Sequence, residues 1–425
     1  MIDIKDLEKR SEEYQTACIN KNIKLDISKI LEKVKQFNEV KTSFETKRAE
    51  QNKVSKEMPN LSGSDKESKL EEMKKLSSEV KKLKEELSIL EQEKNTLLLR
   101  IPAIPLKEVP IGKTDEQNVE IYKVGEPVSF DFEIRDHVEL GKIHDIVDIE
   151  RGVKVAGARS YFLKGYGMLL QHAILSLARD LLMDRGYTVM ECPHLVRKDV
   201  MEGTGYFPGG EDMAYHLDQR DDDFYLIGTS EVSVCAYYSG EIVDVSKPIK
   251  LAGYSPCYRR EAGTYGKDTH GLYRIHQFYK VEQVILCEND PEVSKQMHNE
   301  LLKNSEDLMK ILELPYRVVK VCTGDMGQGQ VFKHDIEAWM PSRKSYGETH
   351  SCSTFLDFQS RRLNIKYKNS EGKNTFCHTL NNTCVASPRI LIPVIENNQL
   401  ENGDILIPKA LQKYMNGLEV IKTSS

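Results

Sequence analysis

Two runs of apolar residues with helical spacing, interrupted once, constrain this chain more than any other feature. From Ile30 onward, Val34, Phe37, Phe44, Val54 and Met58 fall on one face of a helix, and the pattern stops at Met58-Pro-Asn-Leu-Ser-Gly-Ser-Asp65, a stretch of turn formers. It resumes with Met73, Leu76, Val80, Leu83, Leu87, Leu90 and Leu97 on alternating steps of three and four, with Lys94 at the one polar position of the seam. A helix of about 29 residues at about 1.5 Å per residue is roughly 43 Å long, more than the radius of one compact domain. Two such helices joined by a short turn make an antiparallel hairpin, expected to project as an arm over residues 27–100. Between Ile27 and Arg100 there are 17 basic and 14 acidic residues, whereas the whole chain carries a net charge of −6. A mildly positive arm on an acidic protein fits contact with nucleic acid, and fits a structural or dimerising coiled coil equally well.

A chain of 425 residues, 39% apolar and 30% charged, has room for two or three soluble domains. Its nine cysteines include no CxxC pair, which points to a reducing compartment rather than a disulfide framework. The opening Met1-Ile-Asp-Ile-Lys-Asp-Leu lacks the apolar centre of a signal peptide, and no apolar run approaches the roughly 20 residues that cross a bilayer. The expectation is a cytoplasmic protein with no membrane contact. Ile101-Pro-Ala-Ile-Pro-Leu-Lys-Glu-Val-Pro and the polar stretch after it read as a linker over 101–127, separating a domain of residues 1–100 from a body of residues 128–425. In the body, helical patterns (Tyr166 to Gly186, Pro291 to Leu312) alternate with short apolar strands (Phe224 to Ile227, Tyr279 to Cys287, Tyr316 to Val321). This predicts an α+β fold on a mostly antiparallel β-sheet.

The chemistry is carried by three polar stretches. There is no GxxxxGK[ST] loop, Gly324-Asp-Met-Gly-Gln-Gly329 reads as a turn, and the eleven histidines lack zinc spacing; His276 reads as a packed residue. Tyr258-Arg259-Arg260-Glu261 enters a Gly-studded segment and leaves it at Arg274-Ile275-His276-Gln277-Phe278. Gly347-Glu348-Thr349-His350-Ser351-Cys-Ser353 presents oxygen ligands, followed by Arg361 and Arg362. His378 to Thr383 opens with polar groups and leads to Arg389 at the start of an apolar helix. Guanidiniums grip oxyanions through a planar fork, so arginines and carboxylates converging from separate segments describe an ATP site without a P-loop.

At these residues the chain resembles a known family. Arg259-Arg-Glu261 looks like motif 2 of class II aminoacyl-tRNA synthetases, the segment from Asn381 through Arg389 to Glu396 looks like motif 3, and Pro193 resembles the motif 1 proline. The helical arm together with "GTGYFP", "GTSEV", "CYRREAG", "RIHQFYKVE", "CTGDMG" and "HSCSTFLDFQSRR", in that order, is similar to the bacterial-type seryl-tRNA synthetases over essentially the whole chain. The resemblance implies a class II catalytic domain behind a tRNA-binding arm. It implies an enzyme that activates L-serine with ATP and Mg2+ and loads tRNA(Ser), and tRNA(Sec) where that pathway exists, as a homodimer.

Roles follow by resemblance, position by position. Arg259 would hold the α-phosphate and the serine carboxylate, and Arg274 and Arg389 the terminal phosphates; Arg259 and Arg389 are the catalytic pair. Phe278 would stack on adenine and Glu261 would orient the base. Ile275, Thr349, His350 and Arg260 complete the ATP set, although strand alternation turns Arg260 away from Arg259. Glu348 and Ser351 are the Mg2+ ligands, with no zinc site. Thr229 and Glu231 would take the serine ammonium, its hydroxyl would meet Glu282 and Thr383, and Ser230 and Asn381 complete the serine set. Three departures from the family pattern stand out: Thr-Ser-Glu in place of Thr-Ala-Glu, His350 at a place commonly small and polar, and Asn382-Thr383 in place of Gly-Ser. Two other readings remain: a paralogue that loads a carrier protein, which would lack the arm, and a non-enzymatic coiled-coil paralogue, which would have lost its arginines.

Overall fold

The computed structural model describes residues 2–60, 62–217, 223–263, 268 and 270–423. The chain divides into two compact units, Met1–Pro102 and Ala103–Ser425.

The first unit is helical: α1 (Ile4–Lys9), α2 (Ser11–Asn20), α3 (Ile27–Glu57) and α4 (Ser64–Leu99). Asp26 starts α3 by accepting from the backbone N–H of Ser28 and Lys29, a cap worth about 1 kcal/mol. The 31 residues of α3 and 36 of α4 correspond to roughly 46 and 54 Å at about 1.5 Å per residue, longer than the spacing alone indicates. They pack as an antiparallel pair around Val34, Phe37 and Val54 from α3 and Leu76, Leu90 and Leu98 from α4. With only two helices the rest of the seam is half-buried, and Leu98 rather than Leu97 closes its end. Lys94 is accommodated because its Nζ sits 3.5 Å from the centroid of the Phe37 ring; burial there lowers its pKa. Lys33–Glu93 (2.9 Å) and Lys47–Glu79 (3.4 Å) tie the helices across their exposed edges.

The second unit is built on an eight-stranded sheet. In chain order its strands are β1 (Val119–Val124), β2 (Thr188–Glu191), β3 (Ile249–Tyr258), β4 (Gln277–Cys287), β5 (Tyr316–Lys320), β6 (Phe332–Met340), β7 (Ser345–Leu356) and β8 (His378–Ser387). Their spatial order is β1-β5-β6-β7-β8-β4-β3-β2, antiparallel throughout except for the β3–β2 edge. The helices Gly165–Asp184 and Pro291–Ile311 cover one face, where Leu170, Ile174, Leu182, Leu301 and Leu308 meet Val281, Ile285 and Leu380 from the strands. That leaves the opposite face of the central strands to carry polar side chains. Of the segment 101–127, expected as a linker, the part from Ala103 onward belongs to this unit: Ala103 N–H donates to Gln328 O, Leu106 N–H to Val331 O, and β1 pairs with β5 as an edge strand.

Candidate active site

The site lies on the polar face of β4, β8 and β7, in a cavity of about 240 Å3. Two bulges decide which side chains reach it. Successive residues of a strand point to opposite faces, so Glu348 and Ser351, three apart, would diverge on a regular β7. The register instead pairs His350 with Ile336 and Glu348 with Glu337, leaving Thr349 as an extra residue. Glu348, Thr349, Ser351 and Ser353 therefore all line the cavity. His350 lies on the other face, buried, with Nδ1 2.8 Å from Thr349 Oγ1; burial lowers its pKa to about 4 and keeps it neutral. A second bulge, at Cys384 of β8, puts Thr383 opposite Glu282 of β4. Asn381 and Thr383 face the cavity, while Asn382 turns to the covered face and donates to Leu301 O (2.7 Å) and Ser305 Oγ (2.9 Å).

Buried carboxylates form one end of the cleft. Thr383 Oγ1 donates to Glu282 Oε2 at 3.2 Å, and Lys280, two residues earlier on the same face of β4, lies 2.5 Å from that oxygen. Glu231 accepts from Gln359 Nε2 (2.7 Å) and Tyr206 OH (3.0 Å). Burial, reinforced by the nearby charge of Glu282, raises the pKa of Glu231 to about 7. Thr229 and Ser230 do not reach the cavity: Thr229 Oγ1 accepts the N–H of Glu231, and Ser230 Oγ donates to Gly253 O at 3.1 Å. The hydroxyl that distinguishes this chain's Thr-Ser-Glu is thus spent on the β3 backbone.

Arginines form the other end. The N–H of Arg259 is bonded to His276 O and its Nε donates to Gly228 O at 3.1 Å, which aims the guanidinium at Phe278, 5.2 Å from the ring centroid. Arg389 is fixed by Tyr273 O (3.0 Å) and Glu348 O (3.2 Å) and lies 4.4 Å over the Tyr273 ring. Arg274 is turned to Glu261 (3.0 Å) and Asp268 (3.6 Å) and does not line the cavity, and its buried Nε has no partner among the described residues. Glu261 holds its position through a left-handed backbone, φ 52°, unusual for a residue with a side chain. Ile275, Phe278 and Glu261 do line the cleft. Arg260 is exposed, with its N–H on Met213 O. Partial desolvation opposes ionisation of Glu348, but Arg389, Lys333, Arg259 and Arg274 together hold its pKa below the ordinary value. Its side chain remains 45% exposed, open to a ligand.

His276 is a packed residue, its Nδ1 2.9 Å from Arg259 O. Gly271, at φ 70°, ends the intervening loop where a Cβ would lie 2.0 Å from His137 Nε2. The loop from Gly263 to Gly271 is the segment expected to move when the tRNA end arrives; its residues 264–267 and 269 lie outside the described residues. Sequence reasoning missed Tyr206, Tyr273, Lys280 and Lys333 as cleft residues. For Lys280 the signal was available: it stands two residues from Glu282 on a strand.

Comparison with known proteins agrees with this geometry. Residues 1–105 match the seryl-tRNA synthetase N-terminal domain, and residues 215–398 match the class II core domain of the G, H, P, S and T tRNA synthetases. The chain is 42% identical over 422 residues to the serine–tRNA ligase of Deinococcus radiodurans, covering 99% of each. Among solved structures it is similar to seryl-tRNA synthetase from Pyrococcus horikoshii complexed with ATP (TM-score 0.89, 33% identity, 100% of each chain). It is also similar to the cytoplasmic serine–tRNA ligase of Naegleria fowleri in complex with AMP (TM-score 0.82, 29% identity, 97% of this chain and 96% of that one). With the arm, the polar-faced antiparallel sheet and the arginine-lined cleft in one polypeptide, the chain belongs to the seryl-tRNA synthetase family of class II aminoacyl-tRNA synthetases.

Proposed function

We propose that this cleft joins L-serine to ATP and passes the seryl group to tRNA(Ser). A serine carboxylate oxygen attacks the α-phosphorus, the bond to the bridging oxygen of the β-phosphate breaks, and pyrophosphate leaves with that electron pair. No side-chain nucleophile is needed; the work is positioning and stabilisation of spreading negative charge. Arg259 sits between the two reactants, at the α-phosphate and the serine carboxylate. Phe278 and Glu261 take the adenine, and Ile275, Thr349 and Arg389 complete the nucleotide wall. Arg274 reaches the terminal phosphates by leaving Glu261 and Asp268. Arg260, exposed beyond the end of β3, and His350, behind the sheet, stay out of the cleft, as Thr229 and Ser230 do on the loop before Glu231.

The observation that carries the serine assignment is the Thr383–Glu282–Lys280 contact. It presents a donor and an acceptor that a substrate hydroxyl satisfies and a methyl group leaves unpaired. Asn381, whose buried Nδ2 has no partner among the described residues, adds a second donor there. Serine-dependent exchange of pyrophosphate into ATP tests the reading; no exchange with any amino acid would favour a non-enzymatic paralogue.

Glu231 takes the serine ammonium, and this makes binding pH-dependent. Its folded-state pKa of about 7 means the carboxyl is neutral below that pH and cannot pair with the ammonium. The KM for serine should fall severalfold as pH rises from about 6 to 8, and E231Q should flatten the profile; an unchanged KM over that range removes Glu231 from the role.

Glu348 and Ser351 fit Mg2+, since the Thr349 bulge sets two hard oxygens on one face and surrounding cations keep the carboxylate ionised. When bound, Mg2+ supplies charge neutralisation across the phosphates. A second copy of the chain covers the apolar surface around Val155, Phe162 and Met168, which line one groove of about 580 Å3; sedimentation at the mass of a monomer would refute this. No helix is long and apolar enough to cross a membrane among the described residues, and the reaction belongs in the cytoplasm, where tRNA is charged. Where tRNA(Sec) is present, it shares the same arm-directed recognition, tested by charging it beside tRNA(Ser).

A further inference from the structure

One cleft cation has no part in the roles above. Lys333 of β6 lines the same cavity as Arg259, Glu348 and Ser351, with its side chain 12% exposed. The β6–β7 register sets Lys333 beside Ser353 and Asp335 beside Ser351. Lys333 and Asp335 are two residues apart, so they share a face, the one turned to the cleft. Lys333 Nζ lies 3.0 Å from Asp335 Oδ2. The ammonium is thereby drawn along the strand from the level of Ser353 to that of Ser351, toward Glu348, whose charge it supports.

Asp335 is buried, and its Oδ1 has no partner among the described residues. A buried carboxylate with a bare oxygen costs stability unless it has a task. Holding the ammonium is such a task. An ammonium has three donors and Asp335 takes one, which leaves capacity for an anion in the cavity. The location separates this cation from serine: β6 lies three strands from β4, roughly 14 Å at about 4.8 Å per strand, whereas Lys280 serves Glu282 directly.

We infer that Lys333, positioned by Asp335, is a built-in cation that binds the terminal phosphates of ATP and the departing pyrophosphate beside Glu348 and Ser351. The inference rests on reading this cleft as the site of serine activation. Exchange by the unaltered chain tests that reading separately, because Lys333 is judged only by comparing variants with an active parent.

The test is the affinity of the full chain for inorganic pyrophosphate, measured by calorimetry at fixed Mg2+, with serine affinity measured alongside. K333M should weaken pyrophosphate binding about tenfold, as expected for loss of a charge-assisted contact, with serine affinity within about twofold. K333R should restore most of the loss. Removing one member of a buried pair strands the other, so K333M/D335N, which removes both charges, provides a second variant whose folding does not depend on the pair; it should bind pyrophosphate as weakly as K333M. Pyrophosphate affinity within twofold of the parent in either methionine variant overturns the inference. So does a parallel loss of serine affinity, which marks a purely structural pair.

Discussion

Arg259→Gln lowers serine-dependent ATP–pyrophosphate exchange roughly 1,000-fold, while Arg260→Gln, its neighbour, changes it less than about twofold. The first figure follows from losing a preorganised donor at the charge that develops in the transition state, typically 100- to 1,000-fold, together with loss of the serine carboxylate contact in the same group. The contrast follows from the structure. Arg259 is anchored through Nε on Gly228 O and directed into the cleft, whereas Arg260 is exposed and outside it. Thermal unfolding of both variants should match the parent within a few degrees, since neither side chain belongs to the apolar core. Equal losses at the two positions, or a loss below tenfold at Arg259, would mean that the doublet acts through the fold of its hairpin and not at the phosphate.

Replacing residues 27–100 by a short flexible linker should reduce charging of tRNA(Ser) more than about 1,000-fold while exchange stays within about threefold of the parent. The chain divides at Pro102 into compact units, and every residue assigned to serine or ATP lies in the second. Deleting the helix pair leaves the adenylation cleft complete. What is lost is the surface for tRNA: an exposed pair of helices carrying 17 basic residues against 14 acidic ones, suited to a backbone held by shape and charge. Charging by the parent should fall with rising salt through KM for tRNA, and the truncated chain should lose that dependence. Equal charging without the arm would return α3 and α4 to the alternative of a dimerising coiled coil.

Much of this fold could be read from the sequence where periodicity was long or chemistry was local. The seam from Val34 to Leu97 gave the arm, and the helical stretches after Tyr166 and Pro291 appear as Gly165–Asp184 and Pro291–Ile311. The polar stretches were recognisable, but their arrangement was not, because it depends on single inserted residues. Strict alternation cannot bring Glu348 and Ser351 together; the Thr349 bulge can, and nothing in "GETHSCS" marks it. The Cys384 bulge likewise sets Thr383 against Glu282 without a local signal. The proline-rich segment after Ile101 reads as a linker because its partners, Gln328 and Val331, lie more than 200 residues away. Lys280 and Lys333 each stand two residues from an acidic residue on the same strand, Glu282 and Asp335, a spacing the sequence carries, but only the burial of that strand face separates them from solvent-facing lysines. Arg274 shows a further limit: the sequence indicates a phosphate ligand, and the fold holds it on Glu261 and Asp268.

The central claim is that Glu282 and Thr383 read the hydroxyl of serine. It is tested most directly by the ratio of kcat/KM for serine over alanine in ATP–pyrophosphate exchange, measured for the parent and for T383V. The parent ratio should exceed about 1,000, because alanine leaves buried polar groups unpaired. Thr383→Val keeps the shape and removes the hydroxyl, so serine should lose about 10- to 100-fold while alanine changes less than about threefold. A parent ratio below about ten, or a T383V variant that slows serine and alanine alike, would contradict the account.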